Sequence, residues 1–322
     1  MALTNNQMEM IKYISKNDLS MAKKAALACL AEDNSKKNES KVSYYTRILQ
    51  SSSLSMVQLP VDIAGFADLE DLSSYNEKRY YITSRESKLF EQVSKMHKVS
   101  LALMEKQIPY LNATLLYGES GVGKTAFSRY TAYKLGLPYL YINFSRLIES
   151  YLGKTSKNIS HLFDFIKKNQ CLVMFDEIDC IAASRRYGGG AESELARSTT
   201  TLIQLLDGIS NDHVIFAATN LHDAIDSAVL RRFTIKHEML RLSEEDKLNF
   251  IDQFFSDIEM KYDFESAKIY AKNDISQAVL MNHMVQSIAD GIMAEADVIK
   301  LQERRIFHVY LSKSYGWLIC HG

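Results

Sequence analysis

The stretch Gly118-Glu119-Ser120-Gly121-Val122-Gly123-Lys124-Thr125 constrains this chain more than any other. Glycines at these positions let the backbone turn tightly enough for successive N–H groups to point inward. With the lysine and hydroxyl that follow, they match G-x-x-x-x-G-K-[ST], a cradle for phosphate oxygens. The lysine reaches the β- and γ-phosphates, and the hydroxyl serves Mg²⁺. An apolar run, ATLLY at 113–117, precedes the loop, and a helical pattern, AFSRYTAYKL, follows it. Strand, loop and helix in that order are the setting the pattern needs. The expected ligand is therefore ATP with Mg²⁺, held by Gly118 through Thr125 and by Ala126 just inside the helix.

Further short apolar runs lie at 137–144, 171–175, 214–218 and 235–240, with longer helical patterns between them. Such alternation predicts an α/β fold: a parallel five-stranded sheet flanked by helices. Open sheets of this class bind ligands at the carboxyl ends of their strands. The third run ends there in acids, Val173-Met174-Phe175-Asp176-Glu177-Ile178-Asp179. Asp176, with Thr125, is expected to hold the magnesium shell, and Glu177 to polarise the attacking water. Ala217-Ala218-Thr219-Asn220 closes the next run, so Asn220 is expected beside Glu177, touching the γ-phosphate or the water.

Outside the sheet region the chain reads as helices. Residues 1–52 predict a small helical hairpin, formed by LSMAKKAALACLAED and ESKVSYYTRILQ around a polar break. Residues 53–82 read as a linker, of which 61–82 lie across a surface without a clear period. A helix is expected from Thr83 to about Lys106, capped by Thr83 or Ser84 with Glu86 nearby. The nucleotide-binding α/β domain is placed at 83–241 and an all-helical lid at 242–303. The lid opens on Ser243 followed by three acids, and the longest helix of the chain is expected to run from Ile275 to about Gln302. Residues 304–322 form a tail with no assigned role.

Composition narrows the function classes. A net charge of −1 gives no general electrostatic reason to bind nucleic acid. The four cysteines are scattered without a Cys-x-x-Cys pair, against a zinc site and in favour of a reduced, cytoplasmic setting. No apolar run reaches the roughly 18 residues that span a bilayer, and the N-terminus lacks a signal-peptide pattern.

GESGVGKT, VMFDEID, AATN and AIDSAVLRRF, in that order, resemble an AAA-family ATPase, over about residues 80–300. The resemblance is to the narrower AAA branch of P-loop NTPases, because no lid arginine stands out in 270–290. It implies a homo-oligomeric ring, a hexamer, with a protein client. It also implies an arginine finger at Arg231 or Arg232, pointing into a neighbouring subunit's ATP site. Many relatives separate two arginines by two residues; here they are adjacent, with Arg232 favoured because Phe233 follows it. Tyr151-Leu152-Gly153 resembles the pore loop of protein-threading members, and Arg185-Arg186-Tyr187-Gly188-Gly189-Gly190 their second pore-facing loop. The adenine pocket is assigned to the segment containing Tyr81 and Ile82.

Three functions remain open on this reading. One is a ring-forming remodeller that threads proteins. Another is a nucleic-acid motor or loader. The third is an ATP-controlled interaction switch that uses residues 1–52 for docking.

Overall fold

The described residues build one sheet of six strands, β1 (Ala67–Glu70), β2 (Asn112–Tyr117), β3 (Tyr139–Asn143), β4 (Leu172–Asp176), β5 (Val214–Thr219) and β6 (Ile235–Glu238), in the order β1-β3-β4-β5-β2-β6. In this computed structural model residues 3–15, 19–33, 59–150, 155–182 and 190–301 are described, together with 35, 38, 41–43, 45, 46 and 49. The pairs from β3 across to β6 are parallel.

The sheet is six-stranded, not five-stranded as expected. The extra strand, β1, pairs antiparallel with β3 at one edge, within the segment 61–82 read as lying across a surface. That segment is also more than a linker, since Ile63, Phe66 and Ala67 are buried in the core. Its sequence, ADLE, carries two acids in four residues and lies at an edge, so no apolar run betrays it.

Both faces of the sheet are covered, which is why the central strands read as continuous apolar runs. Leu172 and Met174 of β4 pack on one face with Leu89 and Val93 of α3 (Ser84–Glu105) and Phe127 of α4 (Lys124–Leu135). Val173 and Phe175 pack on the other. There they meet Phe144 and Leu147 of α5 (Phe144–Ser150), Leu162, Phe163 and Ile166 of α6 (Thr155–Lys168), and Leu202 and Leu206 of α8 (Gly190–Leu206). A short helix, α7 (Asp179–Ala182), follows β4, and another, α9 (Ser227–Leu230), lies between β5 and β6.

The capping signals translate directly. Thr83 accepts from the Glu86 N–H while Glu86 accepts from the Thr83 N–H, a reciprocal cap. Ser243 caps α10 (Glu244–Asp257), whose first turn holds three acids. With α11 (Phe264–Ala271) and α12 (Gln277–Met293), α10 encloses a second core around Phe250, Phe254, Phe255, Tyr270, Leu280 and Met284. α12 is shorter than expected. It stops at Met293, Glu295 takes a left-handed φ of 50°, and the chain returns to pair Ile299 with Tyr262. Thus α3, with 22 residues, is longer than α12, with 17.

At the N-terminus α1 (Asn5–Ser15) packs against α2 (Leu19–Glu32), and Asn6 donates to Glu32 at 2.7 Å. Of the second half of the expected hairpin, 39–50, residues 41–43, 45, 46 and 49 are helical, and the others lie outside the described residues. No helix among the described residues is long and apolar enough to cross a membrane.

One buried charge ties α6 to β5. His213 is 1% exposed, and its Nε2 faces the carbonyls of Ile166 (2.8 Å) and Asn169 (3.3 Å) at the C-terminus of α6. Its Nδ1 faces the Asp212 carboxylate at 3.0 Å, and Ser210 also bonds that carboxylate. Both ring nitrogens face acceptors, so the imidazolium fits this site. Burial alone would lower the His213 pKa, but Asp212 and the two carbonyls outweigh it and the net shift is upward. Asp212 is lowered to about 2, mainly by its bond to His213.

The signs set a pH window. The raised histidine stabilises the fold fully below its unfolded value of about 6.5 and loses this as pH rises through its folded value. The depressed aspartate stabilises above its unfolded value and loses this as pH falls toward 2. Wild type is therefore expected to exceed Asp212→Asn in stability by about 1–2 kcal/mol at pH 5.5, allowing for the partly exposed carboxylate. The gap should narrow by pH 9. Denaturant unfolding at both pH values checks this, and a gap that is independent of pH would contradict it.

Candidate functional site

Three neighbouring strands, β4, β5 and β2, end side by side in the sheet, and each delivers one part of the site. The loop after β2 carries left-handed glycines at Gly118 (φ 140°), Gly121 (φ 78°) and Gly123 (φ 95°). The first two also lack room for a side chain. A Cβ on Gly118 would come within 2.3 Å of the Met239 carbonyl oxygen, and one on Gly121 within 2.8 Å of the Ser276 Oγ. Only glycine gives the loop this conformation and lets the lid approach so closely. Val122 turns the other way, buried among the core residues beside Phe127.

Lys124 begins α4 and is 9% exposed. Its ammonium donates to the carbonyls of Gly118 (2.8 Å) and Glu119 (2.7 Å) and to the Asn220 Oδ1 (2.7 Å). Burial pulls its pKa below the ordinary lysine value, while Asp176 and Asp179 pull it back up. Thr125, one residue on, donates to the Asp176 Oδ2 at 3.1 Å. The Glu177 N–H donates to the Asp176 Oδ1 at 3.0 Å. Glu177 itself has a left-handed φ of 56°, uncommon for a residue with a side chain and costing of order 1 kcal/mol or more. Such strain turns the chain abruptly after β4, and Glu177 lines the cavity rather than continuing the strand.

That cavity, of about 420 Å³, is lined along one side by Ser120, Gly121, Gly123, Lys124, Thr125, Ala126, Asp176, Glu177 and Asn220. Its other side comes from the segment Arg79-Tyr80-Tyr81 with Glu86, and from Leu242, Phe250, Gln277, Ala278 and Met281. The lid is fastened to the loop, because the Ala278 N–H donates to the Gly121 carbonyl at 3.0 Å. Arg241, between sheet and lid, pairs with Glu119 at 2.6 Å and Asp274 at 2.7 Å. Tyr81 lines the cavity and bonds Asp246 at 3.1 Å. Ile82, expected in the same pocket, packs instead into the apolar cluster around Leu89 and does not line the cavity.

The lid residues and Tyr80 were not singled out from the sequence. Gln277, Ala278 and Met281 share one face of α12, but spacing alone does not tell which face meets the loop. The two arginines part company. Arg232 is tied to Asp207 by two bonds, 3.0 and 2.8 Å, and to the Ala228 carbonyl at 2.9 Å. Arg231 is exposed. Tyr151, Leu152 and the loop 185–189 lie outside the described residues.

The residues fit a nucleotide with Mg²⁺. A glycine cradle that a Cβ would fill, a buried ammonium and a hydroxyl joined to a carboxylate form one wall. Tyr80, Tyr81, Leu242, Phe250 and Met281 give the rest of the lining apolar and aromatic surface against which a flat base would pack, beside the polar Arg79, Glu86 and Gln277. No cluster of three or more His, Cys, Asp or Glu suited to a metal occurs among the described residues. The donor set of Thr125 and Asp176 suits a hydrated Mg²⁺ completed by phosphate oxygens.

Residues 114–240 match the model of the ATPase family associated with various cellular activities (AAA). An uncharacterized AAA family ATPase of Sinorhizobium fredii is 40% identical over 119 residues, 37% of this chain and 36% of that protein. The ATP-dependent zinc metalloprotease FtsH 3 of Symbiobacterium thermophilum is 37% identical over 121 residues, 36% of this chain and 19% of that protein. A proteasome-activating nucleotidase of Methanococcus maripaludis is 29% identical over 201 residues, 60% of this chain and 47% of that protein. The chain thus spans less than half the length of each of these relatives.

Proposed function

We propose, from the premise that this chain belongs to the AAA family of ATPases through residues 114–240, that it hydrolyses ATP and uses the energy to remodel a protein client in a ring of identical subunits. The observation that carries the ATPase reading is the meeting of Lys124, Thr125, Asp176, Glu177 and Asn220 in one cavity at adjacent strand ends. The protein client has separate support in two relatives, one named a proteasome-activating nucleotidase and the other an ATP-dependent zinc metalloprotease. In this reading residues 83–241 bind the nucleotide, 242–303 form the lid, and the ring is a hexamer.

The loop N–H groups and Lys124 hold the phosphates, and Thr125 and Asp176 hold the metal shell. Mg²⁺, when bound, supplies charge neutralisation on the phosphate oxygens. Glu177 orients water and accepts its proton. Asn220, already bonded to Lys124, couples the end of β5 to the phosphate end of the cavity. Arg231 of a neighbouring subunit supplies the remaining positive charge. Arg232, which the sequence favoured for that role, is held within its own subunit by Asp207.

Lys124→Ala tests the site. Calorimetric titration with a non-hydrolysable ATP analogue should show binding by wild type and a loss of about 100-fold or more in the variant, since a buried charge-assisted contact to phosphate is removed. Equal affinities would contradict the assignment of this cavity to ATP.

A further inference from the structure

We infer that Tyr141 is a positioning residue that holds the Asp176 carboxylate in its metal-binding orientation. The inference rests on the ATP–Mg²⁺ reading of the cavity and adds to it a residue from a different strand. Tyr141 lies on β3, beside β4 in the sheet, and its hydroxyl donates to the Asp176 Oδ2 at 3.0 Å. The same oxygen receives the Thr125 hydroxyl at 3.1 Å, while Oδ1 receives the Glu177 N–H at 3.0 Å. Three donors, from β3, from α4 and from the turn directly after β4, therefore fix a carboxylate that would otherwise rotate about its Cβ–Cγ bond.

The tyrosine is itself braced. Tyr139, two residues earlier and on the same strand face, is buried and shares a 2.7 Å hydrogen bond with Ser128 of α4. The Arg129 guanidinium lies 5.5 Å from the Tyr139 ring centre and 5.9 Å from that of Tyr141. Glu70 of β1 grips Arg129 through two bonds of 2.6 and 2.7 Å. The edge strand thus reaches the acid through a chain of contacts: Glu70 to Arg129, Arg129 to the tyrosine rings, Tyr141 to Asp176.

The consequence is specific to the metal. Thr125 can keep its proton on Asp176 while its oxygen lone pairs face the cation. With two donors on Oδ2 and one on Oδ1, the remaining lone pair of Oδ1 is left for the hydrated metal. Removing the tyrosine hydroxyl leaves the ring, its packing and the phosphate cradle in place, but frees the carboxylate to turn. Groups that orient a metal-binding side chain through hydrogen bonds typically change metal affinity 10–100-fold. A half-buried site of this kind is expected near the lower end.

The test is Tyr141→Phe, read by binding of a non-hydrolysable ATP analogue in EDTA and across a Mg²⁺ titration. The expected result is analogue affinity in EDTA within about twofold of wild type, with the Mg²⁺ concentration for half-maximal tightening raised about tenfold. An unchanged Mg²⁺ requirement overturns the inference. A parallel loss of affinity in EDTA and in Mg²⁺ also overturns it, in favour of a merely structural tyrosine. Should wild type itself bind the analogue without responding to Mg²⁺, or fail to bind it, the reading of the cavity falls, and the inference with it.

Discussion

Arg231→Ala is expected to lower ATP turnover by about 10³-fold or more while leaving ATP affinity within a few-fold of wild type. Two adjacent residues of identical chemistry are held differently. Arg232 spends its guanidinium inside the subunit, forking onto both oxygens of Asp207 and reaching the Ala228 carbonyl. To act across an interface it would have to abandon three bonds. Arg231 caps the C-terminus of α9 with its backbone and leaves its side chain exposed. A cation supplied to a phosphoryl-transfer site in trans contributes about 10³–10⁵ in rate in related systems, because the charge it meets is largest in the transition state. Arg232→Ala should behave differently. It removes a partly exposed ion pair with Asp207, so it should cost about 1 kcal/mol of stability or less and leave turnover at saturating protein concentration largely intact. Turnover of both variants, measured at concentrations that saturate assembly, separates the roles. The larger loss in Arg232→Ala would reverse the assignment.

Glu177→Gln is the second large effect. It should lower turnover by about 10²–10⁴-fold and leave ATP binding intact, since the amide keeps the size of the side chain but cannot accept the proton of the attacking water. The backbone supports this separation of binding from chemistry. Asp176 accepts from the Glu177 N–H, which the substitution keeps, and the left-handed φ of 56° imposes the same strain on either side chain. Calorimetric binding paired with single-turnover hydrolysis checks it. Turnover within threefold of wild type would remove Glu177 from the reaction.

What could be read from the sequence follows from how locally each feature is encoded. The phosphate cradle is contiguous, and its glycines, lysine and threonine are needed by the backbone conformation itself. The acids of β4 and the asparagine after β5 stand at strand ends, and the parallel order places those ends together without further information. Strand β1 escaped because ADLE pairs through its backbone at an edge and shows little apolar pattern. Ile82 was assigned with Tyr81 as neighbours in sequence, yet in an extended segment neighbours face opposite ways, and Ile82 joined the core. Tyr141 is one of 18 tyrosines and sits in an apolar run, so only the pairing of β3 with β4 reveals its partner. Likewise, adjacency in sequence could not distinguish Arg231 from Arg232, whereas Asp207 does.

The most direct test of the central claim, an ATP site completed by a second copy of the chain, is ATP turnover per subunit as a function of protein concentration, with Lys124→Ala as the blank. The expected result is a per-subunit rate that climbs with concentration to a plateau. A rate that is flat from the lowest concentration, or absent while ATP still binds, would contradict it.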